Sequence, residues 1–242
     1  MNIQIEPIFV QNAPVWERFC DIRMAGASNY LFEMQAEDKI RALIIDDYRH
    51  QYMSYPHNFA FGAYDNQHMV GFLCGYVYPS QRCAELYNLY ILPRYQKKHI
   101  GSRMVRMAEQ FAGISVNDMI LTPLSSAEKF YLRIEYNRIT SKHTEYKQFE
   151  KHIQPPKCTT VPIFWADTNL AYSLSMVSDY KYSPNQIQDY INTHSHKTVA
   201  YFDATQTPIG FAIQDYNNNP PQMFVMPHRP IDFVTSQLVR AL

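Results

Sequence analysis

The sequence predicts an α/β (α+β) protein: a mixed sheet flanked by helices, followed by a partial second copy of the same pattern. Two observations predict the sheet, since runs of period-2 apolar alternation take turns with runs of helical spacing, and a basic turn, RYQKKHIGSRM, joins one strand to one helix. A third predicts the copy, because the order of elements starts again near residue 160.

NIQIEPIF opens the chain as a short strand, and PVWERFCDIRMAG and QAEDKIRALIIDDYRHQYM carry apolar residues at helical spacing. FAFGAY and MVGFLCGYVY read as strands separated by DNQH, a hairpin connection, and CAELYNLYIL is a further strand. From Ile100 the period changes: Ile100, Met104, Met107, Ala108 and Phe111 fall on one face, with Arg103, Arg106, Glu109 and Gln110 around the others. That is a helix whose first turn contains Gly101. DMILTPL is the next strand. Ser125 and Glu128 form a capping box that opens the helix SAEKFYLRIEY, on which Ala127, Phe130, Tyr131 and Ile134 share a face. RITSKHTEYKQFEKHI supplies the last strands, and QPPKCTTVP is proline-marked and aperiodic. The expected organisation is one domain over 1–154, a linker over 155–160 and a second segment over 161–242.

Bulk composition narrows the function classes. In 242 residues, Lys+Arg and Asp+Glu number 22 each, so the formal charge is zero and no general affinity for nucleic acid or an anionic membrane is expected. Any basic site must be local. Cys20, Cys74, Cys83 and Cys158 form no CxxC pair and have no histidine at ligand spacing, which argues against a zinc site and a disulfide framework. A reduced, cytoplasmic setting fits this. MNIQIEPIFV lacks the basic segment and apolar core of a leader, and no run approaches the roughly 18 apolar residues of a membrane span. A soluble, unexported protein is the expectation. With only 7 glycines, each is expected to mark a turn.

Self-comparison supports the copy. PIF at 7–9 recurs at 162–164, AYDNQHMVGF recurs as YFDATQTPIGF, and YILP, ending at Pro93, recurs as FVMP, ending at Pro227. Nine residues after each proline stands a serine, in SRMVRMA from Ser102 and SQLVRAL from Ser236. At the loop the two differ: this register sets Pro230, Asp232, Phe233 and Thr235 against Gln96, Lys98, His99 and Gly101. Proline has no N–H to donate, aspartate repels an anion, and threonine fills the space beside the backbone. The second copy is expected to have lost what the first binds.

A strand that enters a helix through a tight turn aims free N–H groups outward, and the helix dipole adds partial positive charge. The N–H groups of Ile100, Gly101, Ser102 and Arg103 are the candidates for a pyrophosphate, with the Ser102 hydroxyl as a supplement and Arg94, Lys97, Lys98 and Arg103 as mobile positive charge. The plain alternative is a solvated basic helix start.

YILPRYQKKHIGSRMVRMAEQF resembles the acyl-CoA binding signature of the GNAT superfamily of N-acyltransferases, R/Q-x-x-G-x-G/A after a strand. Gln96 matches its first position and Gly101 its later glycine, while His99 stands in place of the earlier one. DMILTPLSSAEKFYLRIEY is similar to the family's A-x-x-F-Y segment, with Glu135 where a glycine is usual. The likeness covers roughly residues 1 to 153. It implies a mostly antiparallel, twisted GNAT-like sheet and direct transfer of an acetyl group from acetyl-CoA to an amine acceptor, with no metal. It further implies that Gln96, Lys97, Lys98, His99, Ile100, Gly101, Ser102 and Arg103 hold the pyrophosphate, that the backbones of Leu89 and Ile91 meet the pantetheine arm, and that Tyr131 is the acid for the leaving thiolate. Glu85 is the expected base; strand alternation sets it on one face with Tyr87, Leu89 and Ile91. Tyr76, Tyr78, Tyr87 and Tyr90 are candidates for the acceptor side. Tyr131 as a core aromatic, and Glu85 as a solvent-facing carboxylate, are the alternative readings. His68 and His99 carry no feature that separates them from surface histidines. The rival to an enzyme is a non-catalytic acyl-CoA-binding regulatory protein, and residues 158 to 242 are open to use as an acceptor-shaping module or as a partner surface, a homodimer included.

Overall fold

The computed structural model describes residues 3–8, 58–139, 148–164, 166, 168–192, 196–215, 219–226 and 229–241. The two helices expected over 14–26 and 35–53 lie outside the described residues. The chain divides into two compact units that meet in sequence between Gln154 and Pro155.

The N-terminal unit carries a seven-stranded sheet in the order β1-β2-β3-β4-β5-β7-β6. The strands are β1 (Ile3–Pro7), β2 (Asn58–Asp65), β3 (His68–Tyr78), β4 (Cys83–Ile91), β5 (Asp118–Leu121), β6 (Asn137–Ile139) and β7 (Gln148–His152). All neighbours are antiparallel except β4 and β5, which run parallel. A parallel pair needs a crossover, and helix α1 (Ile100–Ala112) supplies it. Its buried residues are Ile100, Met104, Val105, Ala108, Phe111 and Ala112; the stripe runs through Val105, and Met107 is only half-buried. Phe111 meets Phe59 of β2 at 5.5 Å between ring centroids. A Phe fully buried in this way contributes about 1.5–3 kcal/mol. At the far end of α1, Glu109 lies 3.1 Å from Lys151 of β7, whose ammonium also donates to the Ile134 carbonyl at 3.0 Å. Burial pushes the Glu109 carboxyl above its usual range and Lys151 opposes that shift.

The second helix differs from the expected one. A 3-10 turn over Ser125–Ala127 precedes α2 (Glu128–Arg133), and no side chain caps either. Glu128 reaches Arg138 instead, at 2.7 Å, so the capping box does not form. A guanidinium outcompetes a backbone amide for the carboxylate.

Glycine usage also departs from expectation. None of the described glycines has a positive φ, and the left-handed positions are filled by Asn66, Gln67, Arg82, Lys97, His99, Glu135, Cys158, Asp179, Tyr180 and Gln206. Asn66 and Gln67 make the left-handed pair that joins β2 to β3. Glycines serve close approach instead. A Cβ at Gly75 would lie 2.3 Å from the Glu85 carbonyl oxygen and 2.4 Å from Phe59 Cζ. Gly75 faces the point where β4 carries an extra residue, because Cys74 pairs with Asn88 while Gly75 pairs with Leu86. Tyr87 is that bulge.

The C-terminal unit has its own antiparallel sheet in the order β11-β10-β9-β8, with β8 (Thr159–Pro162), β9 (His196–Phe202), β10 (Pro208–Asp215) and β11 (Gln222–Val225). Strand β8 takes up Thr159 and Thr160, which the sequence assigns to a linker. Helices α3 (Thr168–Val177) and α4 (Pro184–Asn192) stand between β8 and β9, and α5 (Ile231–Ala241) follows β11. Val199, Tyr201, Ile209 and Ala212 pack with Val234 and Leu238 of α5 as the core. Each unit thus presents four consecutive antiparallel strands and then a helix, and the proline of each PIF triplet, Pro7 and Pro162, ends the first strand.

Among the described residues no helix is long and apolar enough to cross a membrane. Gly75→Ala is expected to destabilise the N-terminal unit by about 2 kcal/mol, the usual order for overpacking a tight site, read as a lower midpoint in urea with unchanged slope.

Candidate active site

Strand β4 keeps β5 beside it only where Cys83–Leu86 pairs with Asp118–Leu121. From Tyr87 to Ile91 it has β3 on one side and, among the described residues, no strand on the other. The Leu92 N–H donates to the Val70 carbonyl at 2.9 Å, so in this stretch the even residues turn their backbone groups to β3 and the odd ones turn theirs to the opening. Gln96 Nε2 donates to the Ile91 carbonyl at 2.9 Å. The N–H and C=O of Leu89 and the N–H of Ile91 therefore face the opening.

The loop that follows is built for a sharp reversal. Pro93–Tyr95 forms a 3-10 turn in which Tyr95 N–H meets the Leu92 carbonyl at 2.8 Å. Lys97 and His99 both take φ of 60°, the left-handed region that costs most side chains about 1–2 kcal/mol and that histidine enters more readily than most. His99 is the N-cap of α1, offers no side-chain cap, and no acid stands in the first turn. The first intrahelical bond is Arg103 N–H to the His99 carbonyl, at 3.1 Å. The amides of Ile100, Gly101 and Ser102 precede it and point out of the helix end, where the dipole places about half a positive charge.

Two expected donors are engaged otherwise. The Arg103 amide is spent in that first rung, and its guanidinium Nη2 donates to the Ile3 carbonyl at 3.2 Å. Ser102 Oγ donates to the His99 carbonyl at 2.9 Å, which leaves it acceptor lone pairs only. Lys97 and Lys98 are exposed beside the helix end.

Gly101 brings three elements together. A Cβ there would lie 3.4 Å from Phe130 Cζ of α2 and 3.7 Å from Leu89 Cδ2 of β4. The helix end, the opened strand and α2 thus converge at one point. Phe130 was not a site candidate on sequence, although its place three residues after Ala127 in the A-x-x-F-Y segment is a signal for it. Tyr131 packs edge-on against Phe130 at 4.9 Å and against Tyr136 at 5.7 Å between centroids. Its side chain is buried and burial pushes the phenol well above its usual range. Among the described residues its hydroxyl has no hydrogen-bond partner. A phenol in that state stays protonated and donates.

Glu85 lies elsewhere than alternation implies. It is the register partner of Tyr76 and accepts a hydrogen bond from Tyr78 at 3.3 Å, while Tyr87 packs edge-on against Tyr76 at 5.7 Å. The Tyr87 bulge breaks the period of two, so Glu85 and Tyr87 stay on the face with Tyr76 and Tyr78, and Leu89 turns to the α1 face. Tyr90 pairs with Phe72, ring to ring at 6.3 Å. Among the described residues no group of three His, Cys, Asp or Glu is disposed to hold a metal.

The corresponding connection in the C-terminal unit is shorter. In the C-terminal unit α5 starts at Ile231, with Val234 N–H on the Pro230 carbonyl at 3.0 Å, after a connection from 226 to 230 where the first unit uses 92 to 99. Asp232 sits in its first turn.

Residues 17–134 match the acetyltransferase (GNAT) family. The chain therefore carries a domain of that family, and the class of protein it defines is an N-acyltransferase. The PaiA N-acetyltransferase from Thermoplasma acidophilum, solved in complex with coenzyme A, aligns with 63% of this chain and 99% of its own at 18% identity and a TM-score of 0.50. An acetyltransferase of the GNAT family from Staphylococcus aureus Mu50 aligns with 63% of this chain and 100% of its own at 13% identity and a TM-score of 0.52. At these identities the likeness speaks for the fold. No curated protein matches the chain.

The left-handed N-cap yields a direct test. His99→Val is expected to lower the stability of the N-terminal unit by about 1–2 kcal/mol, whereas His99→Asn stays near neutral because asparagine tolerates that conformation; thermal unfolding of the two variants reads the difference.

Proposed function

We propose that the N-terminal unit transfers an acetyl group from acetyl-CoA to a primary amine by direct attack. The observation that carries this is the convergence at Gly101 of an open helix end, the stretch of β4 that among the described residues has only β3 beside it, and the aromatic pair of α2. The PaiA relative holds coenzyme A, and the residues here fit the same guest. The amides of Ile100, Gly101 and Ser102 take the pyrophosphate, with Gln96 holding the turn and Lys97 and Lys98 adding charge. Leu89 and Ile91 offer strand-like hydrogen bonds to the amides of the pantetheine arm, which lies where a further strand would pair. Arg103 and Ser102 Oγ act on the loop's shape rather than on the ligand.

The amine must arrive at the thioester uncharged, and Glu85, on the face opposite α1, takes its proton directly or through water. Tyr76, Tyr78 and Tyr87 wall that face, which suits an amine on a planar or apolar body. Tyr131 donates to the sulfur as the C–S bond breaks. Burial makes its phenol a weak acid, so its work is to stabilise negative charge on sulfur through a hydrogen bond as that charge develops. We further infer that the C-terminal unit is a partial copy of the first, since four antiparallel strands and a helix recur in order, and that its shortened loop with Asp232 binds no acyl-CoA. The thiols of Cys74, Cys83 and Cys158 are unbridged, in keeping with a reducing, cytoplasmic setting.

Thiol release from acetyl-CoA over a broad panel of amines tests the activity. Tyr131→Phe is expected to lower kcat by about 100-fold with KM for acetyl-CoA nearly unchanged, and the wild-type kcat profile shows no limb from Tyr131 up to about pH 10, since its folded-state phenol ionises above the range of a free one. Gly101→Val, which drives a branched side chain at Phe130, is expected to weaken acetyl-CoA binding at least tenfold, about 1.4 kcal/mol, by calorimetry. Tight binding with no turnover on any amine would favour a regulatory acyl-CoA binder, and no binding would end both readings.

A further inference from the structure

Tyr95 sits between basic residues in RYQKK, and the acetyl-transfer chemistry leaves it without a role. Its ring is buried at 9% exposure, although Pro93, Arg94, Gln96, Lys97 and Lys98 around it are all exposed. The hydroxyl donates to Asp65 Oδ2 at 3.0 Å. Asp65 is the last residue of β2, directly before the left-handed Asn66–Gln67 pair. The bond therefore ties the loop between β4 and α1 to a hairpin that lies far away in sequence. The ring itself gathers two cations: Arg94 Cζ lies 5.0 Å from its centroid and Lys98 Nζ 5.4 Å. Both fall within cation–π range. Two like charges on one short turn repel and favour solvent, and a shared ring whose hydroxyl is held by a carboxylate counters both tendencies.

We propose that Tyr95, anchored by Asp65, is a positioning residue that orients Arg94 and Lys98 beside the open end of α1 for the phosphate groups of an acyl-CoA. The inference rests on the acyl-CoA reading of that helix end. A phenylalanine in its place would keep the ring and lose the anchor; a leucine would lose both. Arg94 and Lys98 then return to many rotamers, and a phosphate must order them on arrival.

The test compares acetyl-CoA with S-acetylpantetheine, which carries the same thioester and no phosphate. For Tyr95→Leu, kcat/KM is expected to fall about tenfold more on acetyl-CoA than on S-acetylpantetheine, the size of a lost charge-assisted contact. The affinity for CoA becomes less sensitive to salt. Tyr95→Phe shows the same selectivity at about threefold, and it decides the matter if the leucine variant does not fold. Equal losses on the two substrates would make Tyr95 a packing residue and overturn the proposal, as would unchanged CoA affinity in both variants. A wild-type protein that binds no CoA would overturn the acyl-CoA reading itself, which the variants alone cannot do.

Discussion

One departure from regular pairing governs the N-terminal unit: β4 has β5 as a neighbour for four residue pairs and then, among the described residues, keeps only β3 beside it. A strand with one edge unpaired presents backbone groups that must find a partner. The bulge at Tyr87 makes this departure, and Gly75 makes the bulge, because any larger residue would strike the Glu85 carbonyl and the Phe59 ring. The same bulge distributes chemistry over the two faces. Glu85 and Tyr87 go to one side and Leu89 to the other, where it meets the helix end at Gly101. A regular strand would have put all of them together on one face.

The loop after β4 shows what replaces glycine when a chain has few of them. His99 and Lys97 hold left-handed conformations, Glu135 does so after α2, and Gly71, Gly75 and Gly113 stand where another stretch of backbone comes too close for a Cβ. Strain at His99 is held in place on both sides: Gln96 ties the turn back to β4, and α1 starts at once with Ile100 buried. The turn into α1 thus keeps its left-handed conformation and its exposed helix end although His99 stands where the GNAT signature has a glycine.

Much of this was legible beforehand, and the misses have causes. Strands β1 to β5 and helix α1 follow from apolar period, and the helix end follows from a basic turn with Gly101 in the first turn. Alternation carried Glu85, Leu89 and Ile91 to one face because a bulge leaves no mark in the period until the partner strand is known. The capping box at Ser125 failed because Arg138, ten residues downstream of Glu128, competes for the carboxylate. The anchor from Tyr95 to Asp65 joins residues thirty apart through a single hydroxyl, and no local pattern records such a bond. In the C-terminal unit the hairpin of β9 and β10 follows from YFDATQTPIGF, while the shortness of the connection before α5 emerged only once α5 was seen to begin at Ile231.

Backbone amides are the heart of the account, so their protection is the most direct measurement of it. Hydrogen–deuterium exchange of the whole chain, followed by peptide mass spectrometry with and without acetyl-CoA, is predicted to show slowed exchange in segments 87–91 and 96–102 and no change in 226–236. Protection confined to the C-terminal unit, or absent from both segments at a saturating concentration, would contradict it.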